Sequence, residues 1–178
     1  MNNKILLHTC CAVCCTQPIA KLKELGYDPV LFFYNPNIHP QVEYDIRLNE
    51  LVKYCRKKKY ELILREDDPD VWFSAVKGLE NEPERGKRCL KCFELRLTET
   101  AKRAAIDGYP AFTTTLCVSP HKVFADIEKI GNRAAEKFGI KFVAIDFKKH
   151  DGYLKAMKTA KEEGFYRQSY CGCVYSIR

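Results

Sequence analysis

Short apolar runs alternate with amphipathic stretches along the whole chain. Ile5-Leu6-Leu7, Val30 to Tyr34, Tyr60 to Leu64, Ala111 to Leu116 and Lys141 to Ile145 are brief, and Gly, Pro, Asn or Asp bound most of them. Runs of this kind predict strands covered on both faces. Between them, apolar residues recur at helical spacing. This predicts helices over Thr16–Leu25, Gln41 to about Lys58, Asp70–Val76, Arg88 to about Ile106, Val123–Phe138 and Tyr153–Glu163. Gly139 and Gly164 stop the last two. In the second helix Val42, Ile46, Leu48, Leu51, Val52 and Cys55 fall on or near one face, which is expected to be buried. Gly78 to Lys87 is polar, contains Pro83 and Gly86, and reads as an insertion loop. Strands alternating with helices predict an α/β fold, a parallel doubly wound sheet with helices on both faces, in a single domain over residues 1–178.

In such a sheet the loops leaving the strands' carboxyl ends gather at one edge, where ligands bind. Those loops carry the N-terminal cysteines, Asn35 to His39, Asp67 with Asp68, Cys117 to His121, and the lysines after Asp146. The first loop sets the kind of guest. Nucleotide-binding sheets place glycines there so that backbone amides cradle phosphate. Thr9 to Thr16 has no glycine but has Cys10, Cys11, Cys14 and Cys15. Thiols in that place call for a soft metal.

The chain has 10 cysteines and a net charge of +7, from 30 Lys and Arg against 23 Asp and Glu. Nothing resembles a signal peptide, and no apolar stretch approaches the roughly 18 residues of a membrane span. The expected location is cytoplasmic, without membrane attachment. There thiols stay reduced, so metal binding or redox work outranks structural disulfides. Cys11-x-x-Cys14 and Cys89-x-x-Cys92 together suit tetrahedral zinc or an iron–sulfur cluster, and spacing alone does not separate the two. Two features favour iron. The second pair opens a helix beside Arg88 and Lys91, which favours thiolates, and there are more thiols than one zinc uses. Cys15, Cys55 and Cys117 read as small buried apolar residues. Cys171-Gly172-Cys173 suits either a strained, easily reduced disulfide or a ligand pair. Asp67 and Asp68 fit metal ligation, and equally the cap of the Pro69 helix. His8 reads as a core histidine, whereas His39 and His121 lie on ligand-edge loops, where either could donate a proton. Trp72 reads as core. The run Arg56 to Lys59 reads as a solvated helix end. Arg85, Lys87, Arg88, Lys148 and Lys149 are better placed for phosphate.

Five segments together carry a resemblance: His8-x-Cys10-Cys11-x-x-Cys14; Tyr34-Asn35-Pro36-Asn37-Ile38-x-Pro40; Glu82-Pro83-Glu84-x-Gly86-x-Arg88-Cys89-x-x-Cys92; Thr113-Thr114-Thr115-Leu116-x-x-Ser119-Pro120-His121-Lys122; and Tyr166-Arg167-Gln168-x-Tyr170-Cys171-Gly172-Cys173. The pattern resembles the cobalamin-independent epoxyqueuosine reductases (QueH-type) over nearly the whole chain. Val13 and Cys15 depart from it, standing where members often have Pro and Ser. The resemblance implies a Rossmann-like fold related to the adenine-nucleotide hydrolases. It also implies removal of an epoxide oxygen from epoxyqueuosine at the wobble position of a tRNA anticodon loop, with electrons from an external donor of ferredoxin type. A [4Fe–4S] cluster would take its ligands from Cys10, Cys11, Cys14, Cys89 and Cys92. The spare thiolate, with Asp67 or Asp68, would hold a further mononuclear iron. Cys171 and Cys173 would form a redox relay, with His121 in a catalytic role. Tyr34, Asn35, Asn37, Arg88, Ser119, Lys122, Arg167 and Tyr170 would bind substrate. Two other classes stay open on the residues, a zinc-stabilised RNA-binding module and a tRNA-thiolating enzyme. The glycine-free first loop counts against the thiolating enzyme.

Overall fold

The computed structural model describes residues 3–66 and 68–177. The apolar runs become β1 (Lys4–His8), β2 (Asp28–Phe33), β3 (Leu62–Leu64), β4 (Ala111–Thr114) and β5 (Lys141–Phe142). They form one sheet in the order β3-β2-β1-β4-β5, and every pairing is parallel. Ile5, Leu6, Leu7, Val30, Leu31, Phe32 and Phe33 are at most 1% exposed. Burial on both faces explains why these strands read as continuous apolar runs rather than as alternating ones. Each such side chain contributes about 1.5–3 kcal/mol of hydrophobic stabilisation.

Helices α1 (Ala12–Glu24), α2 (Gln41–Lys58) and α6 (Gly152–Glu163) pack together on one side. Helices α3 (Pro69–Ala75), α4 (Lys87–Ile106) and α5 (Phe124–Phe138) pack together on the other. The chain runs outward from β1 to β3, then returns to place β4 on β1's other side. That reversal opens a crevice beyond the carboxyl ends of β1 and β4. Gly131 lets α5 seat on β5, because a Cβ there would lie 2.5 Å from Cε1 of Phe142.

Three expectations need correction. Helix α1 begins at Ala12 rather than Thr16, because Cys11 acts as its N-cap and its sulfur accepts from the amide of Cys14 at 3.4 Å. Cys14 and Cys15 therefore sit in the first turn of a helix. Strand β4 stops at Thr114, whose hydroxyl accepts from the amide of Leu116 at 3.1 Å and starts a 3-10 turn over Thr115–Val118. With its neighbour turned away, β5 keeps only Lys141–Phe142, and the Thr113 hydroxyl donates to the carbonyl of Val143 at 2.8 Å. The buried face of α2 is the third. It consists of Glu43, Arg47, Leu51, Tyr54 and Cys55, while Val42 is 61% exposed.

Candidate thiol-lined active site

The crevice between β1 and β4 holds the chemistry. The sulfurs of Cys10, Cys11 and Cys14 all lie within 4.8 Å of one another. Cys10 Sγ is 3.9 Å from Cys11 Sγ and 3.6 Å from the hydroxyl of Thr115. Hydrogen bonds from the thiols of Cys11 and Cys14, then the charge of Arg96 and the Thr115 hydroxyl, hold Cys10 well below the ordinary thiol range despite burial. The same sharing pushes Cys11 up to about 12 and also raises Cys14.

A buried polar frame fixes this loop from below. Arg96, 3% exposed on α4, donates to Asn35 Oδ1 at 2.6 Å, to His8 Nε2 at 3.3 Å and towards Cys92 Sγ at 4.0 Å. Asn35 in turn donates to the carbonyl of Thr9 at 3.0 Å. Burial first, then the charge of Arg96, lowers His8 to about 3, so the ring is neutral. One guanidinium therefore ties together the end of β1, the loop after β2 and the second CxxC helix.

The segment after α6 closes the crevice from above. Arg47, 1% exposed, pairs with Glu43 at 2.7 Å and donates to the carbonyls of Tyr170 at 3.0 Å and Cys171 at 3.3 Å. Tyr166 donates to Glu43 at 2.7 Å, and the Tyr170 hydroxyl donates to the carbonyl of His39. So held, Gln168 Nε2 points at Cys11 Sγ (3.4 Å) and Cys14 Sγ (3.8 Å). Gly172 has φ +102, and a Cβ on it would meet Ile38 Cγ1 at 2.9 Å, so both backbone and space require glycine. All ten cysteines are free thiols. Within the Cys171 and Cys173 pair, a hydrogen bond from Cys173, Lys122 and the Ser176 hydroxyl (3.1 Å) lower Cys171, while Cys173 is raised.

A cavity of about 690 Å³ joins these parts. Of the sequence-predicted residues, Cys10, Cys14, Cys89, Cys92, Asn37, Arg88, Ser119, His121, Lys122, Arg167, Tyr170, Cys171 and Cys173 line it. Cys11 lies in the trio beside it. Asn37 is 2% exposed and its Oδ1 has no hydrogen-bond partner, leaving an acceptor for a guest. Several expectations fare differently. Asp68 caps α3, accepting from the amide of Asp70 at 2.9 Å, and Asp67 lies outside the described residues. Tyr34 packs beneath Arg65 and beside Phe32, and Asn35 belongs to the Arg96 frame, so neither lines the cavity. Arg88 turns its Nη1 to the carbonyls of Leu79, Glu80 and Glu82, while its Nε, buried, has no hydrogen-bond partner. Lys148 pairs with Asp146 at 2.8 Å. Trp72, Cys15, Cys55 and Cys117 are buried, as expected.

Arg47 and Arg96 escaped the sequence reading, and Thr115 and Gln168 entered it only within motif segments, without a role. The i,i+4 pair Glu43 and Arg47 was a usable signal. The donor set fits a thiophilic metal or cluster: three sulfurs converge, Cys89, Cys92, Cys171 and Cys173 line the same cavity, and Gln168 and Arg96 aim N–H groups at sulfur.

The family described as Epoxyqueuosine reductase QueH matches over residues 5–178. The chain belongs to that family. Relatives named Epoxyqueuosine reductase QueH include those of Histophilus somni (41% identical, covering 99% of this chain and 73% of the relative), Acinetobacter baylyi (41%, 99% and 81%) and Thermotoga maritima (37%, 97% and 90%). Among solved structures, the fold resembles a predicted subunit of tRNA methyltransferase from Methanocaldococcus jannaschii, with TM-score 0.58, 13% identity and 93% of each chain covered. It also resembles the U34-tRNA thiolase NcsA from Methanococcus maripaludis with its [4Fe-4S] cluster, with TM-score 0.59, 14% identity and coverage of 99% and 62%. At such identities the likeness speaks for the fold alone, a Rossmann-like sheet. Among the described residues no helix is long and apolar enough to cross a membrane.

Proposed function

We propose that the chain is a tRNA epoxyqueuosine reductase that removes the epoxide oxygen from the modified wobble base. The observation that carries this is the meeting, around one cavity, of the Cys10, Cys11 and Cys14 trio with Cys89, Cys92 and the Cys171 and Cys173 pair. The reaction breaks both C–O bonds, forms a C=C bond, and consumes two electrons and two protons to release water. A [4Fe–4S] cluster held by four of Cys10, Cys11, Cys14, Cys89 and Cys92 would relay the two electrons one at a time, and the fifth thiol would leave a place for an iron with Lewis acidity.

The chain's own groups perform the rest. The base leaves its stack to enter the cavity, as loop bases do, and the Asn37 carbonyl oxygen accepts from it. Ser119, Lys122, Arg167 and Tyr170 line the wall against the nucleotide. Closing the Cys171 thiolate and Cys173 thiol to a disulfide releases two electrons and one proton. His121, on the same wall, passes the second proton. An external donor of ferredoxin type then restores the dithiol.

Anaerobic preparations should contain iron and acid-labile sulfide and convert epoxyqueuosine in tRNA. Cys89→Ala should lose the visible absorbance that bleaches with dithionite, together with activity. A colourless yet active variant, or about one zinc without sulfide, overturns the assignment.

A further inference from the structure

The positive charge of this chain is not spread evenly. A second concavity of about 580 Å³ runs between α4 and α5. Its charged lining is Lys87, Lys91, Glu94, Lys129, Arg133 and Lys137, with Asp126. Five cations against two acids leave +3 (5 − 2) in one groove of a chain whose total is +7. Glu94 is already paired with Lys91 at 2.8 Å. Among the described residues, Lys87, Lys129, Arg133 and Lys137 take part in no ion pair. The other basic cluster, at the end of α2, differs: Lys57 and Lys58 both hold Glu163, at 2.6 and 2.9 Å.

Two further facts give the groove a direction. Lys129, Arg133 and Lys137 are exposed and recur at i, i+4 and i+8, so they form a row with a step of about 6 Å on one face of α5. Asp126 lines both the groove and the thiol-lined cavity, so the two adjoin at that residue. A strand that placed one base in the cavity would lay its neighbouring phosphates along this row. The lining holds no Trp, Tyr or Phe. Protein partners usually anchor through such aromatic residues, whereas a phosphate backbone needs only Lys and Arg.

We propose that the α4–α5 groove is the track for the sugar–phosphate backbone of an RNA whose target base occupies the cavity. This rests on the RNA-substrate reading above. The row on α5 contributes about three phosphate contacts and no base readout. It sets how tightly the RNA is held and leaves the reacting atoms alone.

The test uses the full chain carrying Lys129→Ala, Arg133→Ala and Lys137→Ala together, substitutions that favour a helix. Binding of an unmodified full-length tRNA is followed by fluorescence anisotropy across a salt series. A control triple, Lys53→Ala, Arg56→Ala and Lys57→Ala on α2, removes the same charge elsewhere. The α5 triple should lower the slope of log affinity against log salt by about 2, from roughly 0.7 per contact, and weaken binding about a hundredfold at 0.1 M salt. The control should change neither by more than about threefold. On epoxyqueuosine tRNA the α5 triple should raise KM and keep kcat. Unchanged affinity and slope in the α5 triple, or equal losses in both triples, overturn the track. So does intact RNA binding with slowed reduction by an acidic redox protein, which would make the groove a protein dock. If the unsubstituted chain binds no tRNA even at low salt, the RNA reading itself fails.

Discussion

Arg47→Met tests the clamp that holds the tail over the thiols. Methionine keeps much of the length and apolar stem but loses the charge and all donors. In the structure Arg47 is 1% exposed, and Glu43, with an 8% exposed side chain, is its ion-pair partner at 2.7 Å. Removing one member of a buried pair leaves the other charge uncompensated, at a cost of about 3–5 kcal/mol. Here the Tyr166 hydroxyl still donates to Glu43, which favours the lower part of that range. The two carbonyls of Tyr170 and Cys171 lose a charged donor as well, but these losses overlap with the first and do not add in full. The expected loss is therefore about 3–4 kcal/mol, a large share of the 5–15 kcal/mol typical of a domain. Urea unfolding, read by midpoint and slope, measures it. Glu43→Gln added to Arg47→Met removes the stranded charge, so the double variant should be more stable than the sum of the single losses predicts. Limited proteolysis should cut between Phe165 and Tyr175 in Arg47→Met before the sheet unfolds. A loss under about 1 kcal/mol, or a double variant equal to the sum, refutes the clamp.

Gly172→Ala should cost about 1–3 kcal/mol, from its left-handed backbone and the contact with Ile38, and should lower activity more than stability; thermal melts beside turnover would separate the two. Gln168→Leu should leave metal content unchanged yet lower the reduction potential of a bound cluster, because N–H donors to sulfur favour the reduced, more negative state; an unaltered potential in spectroelectrochemistry would dismiss that role. In metal-free protein, His8 adds a pH dependence. Its folded pKa is about 3 against 6.5 unfolded, so above 6.5 it contributes nothing, and as pH falls from 6.5 towards 3 only the unfolded state takes the proton. Stability should drop by about 2 kcal/mol at pH 5, at 1.4 kcal/mol per unit, and His8→Gln should flatten that slope in urea titrations.

The strands were legible because burial on both faces writes an unbroken apolar run, and the helices ending at Gly139 and Gly164 because their caps are left-handed. The thiol site was legible because loops after β1 and β4 must meet where the strand order reverses. Buried charge was not. Arg47 and Glu43 look like solvent-facing residues, so the apolar face read for α2 joins Val42 and Ile46, which are exposed, to Leu51 and Cys55, which are buried. Arg88 and Arg96 follow the same rule on α4: each is 3% exposed with its charge turned inward, one to carbonyls and the other to His8 and Asn35. Hydropathy cannot see a cation whose partners come from other loops. Asp68 could be read either as ligand or as cap, and only the geometry of α3 decided between them.

Gln168, Cys171 and Cys173 come from beyond the last strand, whereas Cys10, Cys11 and Cys14 follow the first. On a ribosome the early sulfurs emerge long before the residues that shield them. A nascent chain would therefore show a bare, oxidisable thiol cluster until Arg47 captures the carbonyls of Tyr170 and Cys171.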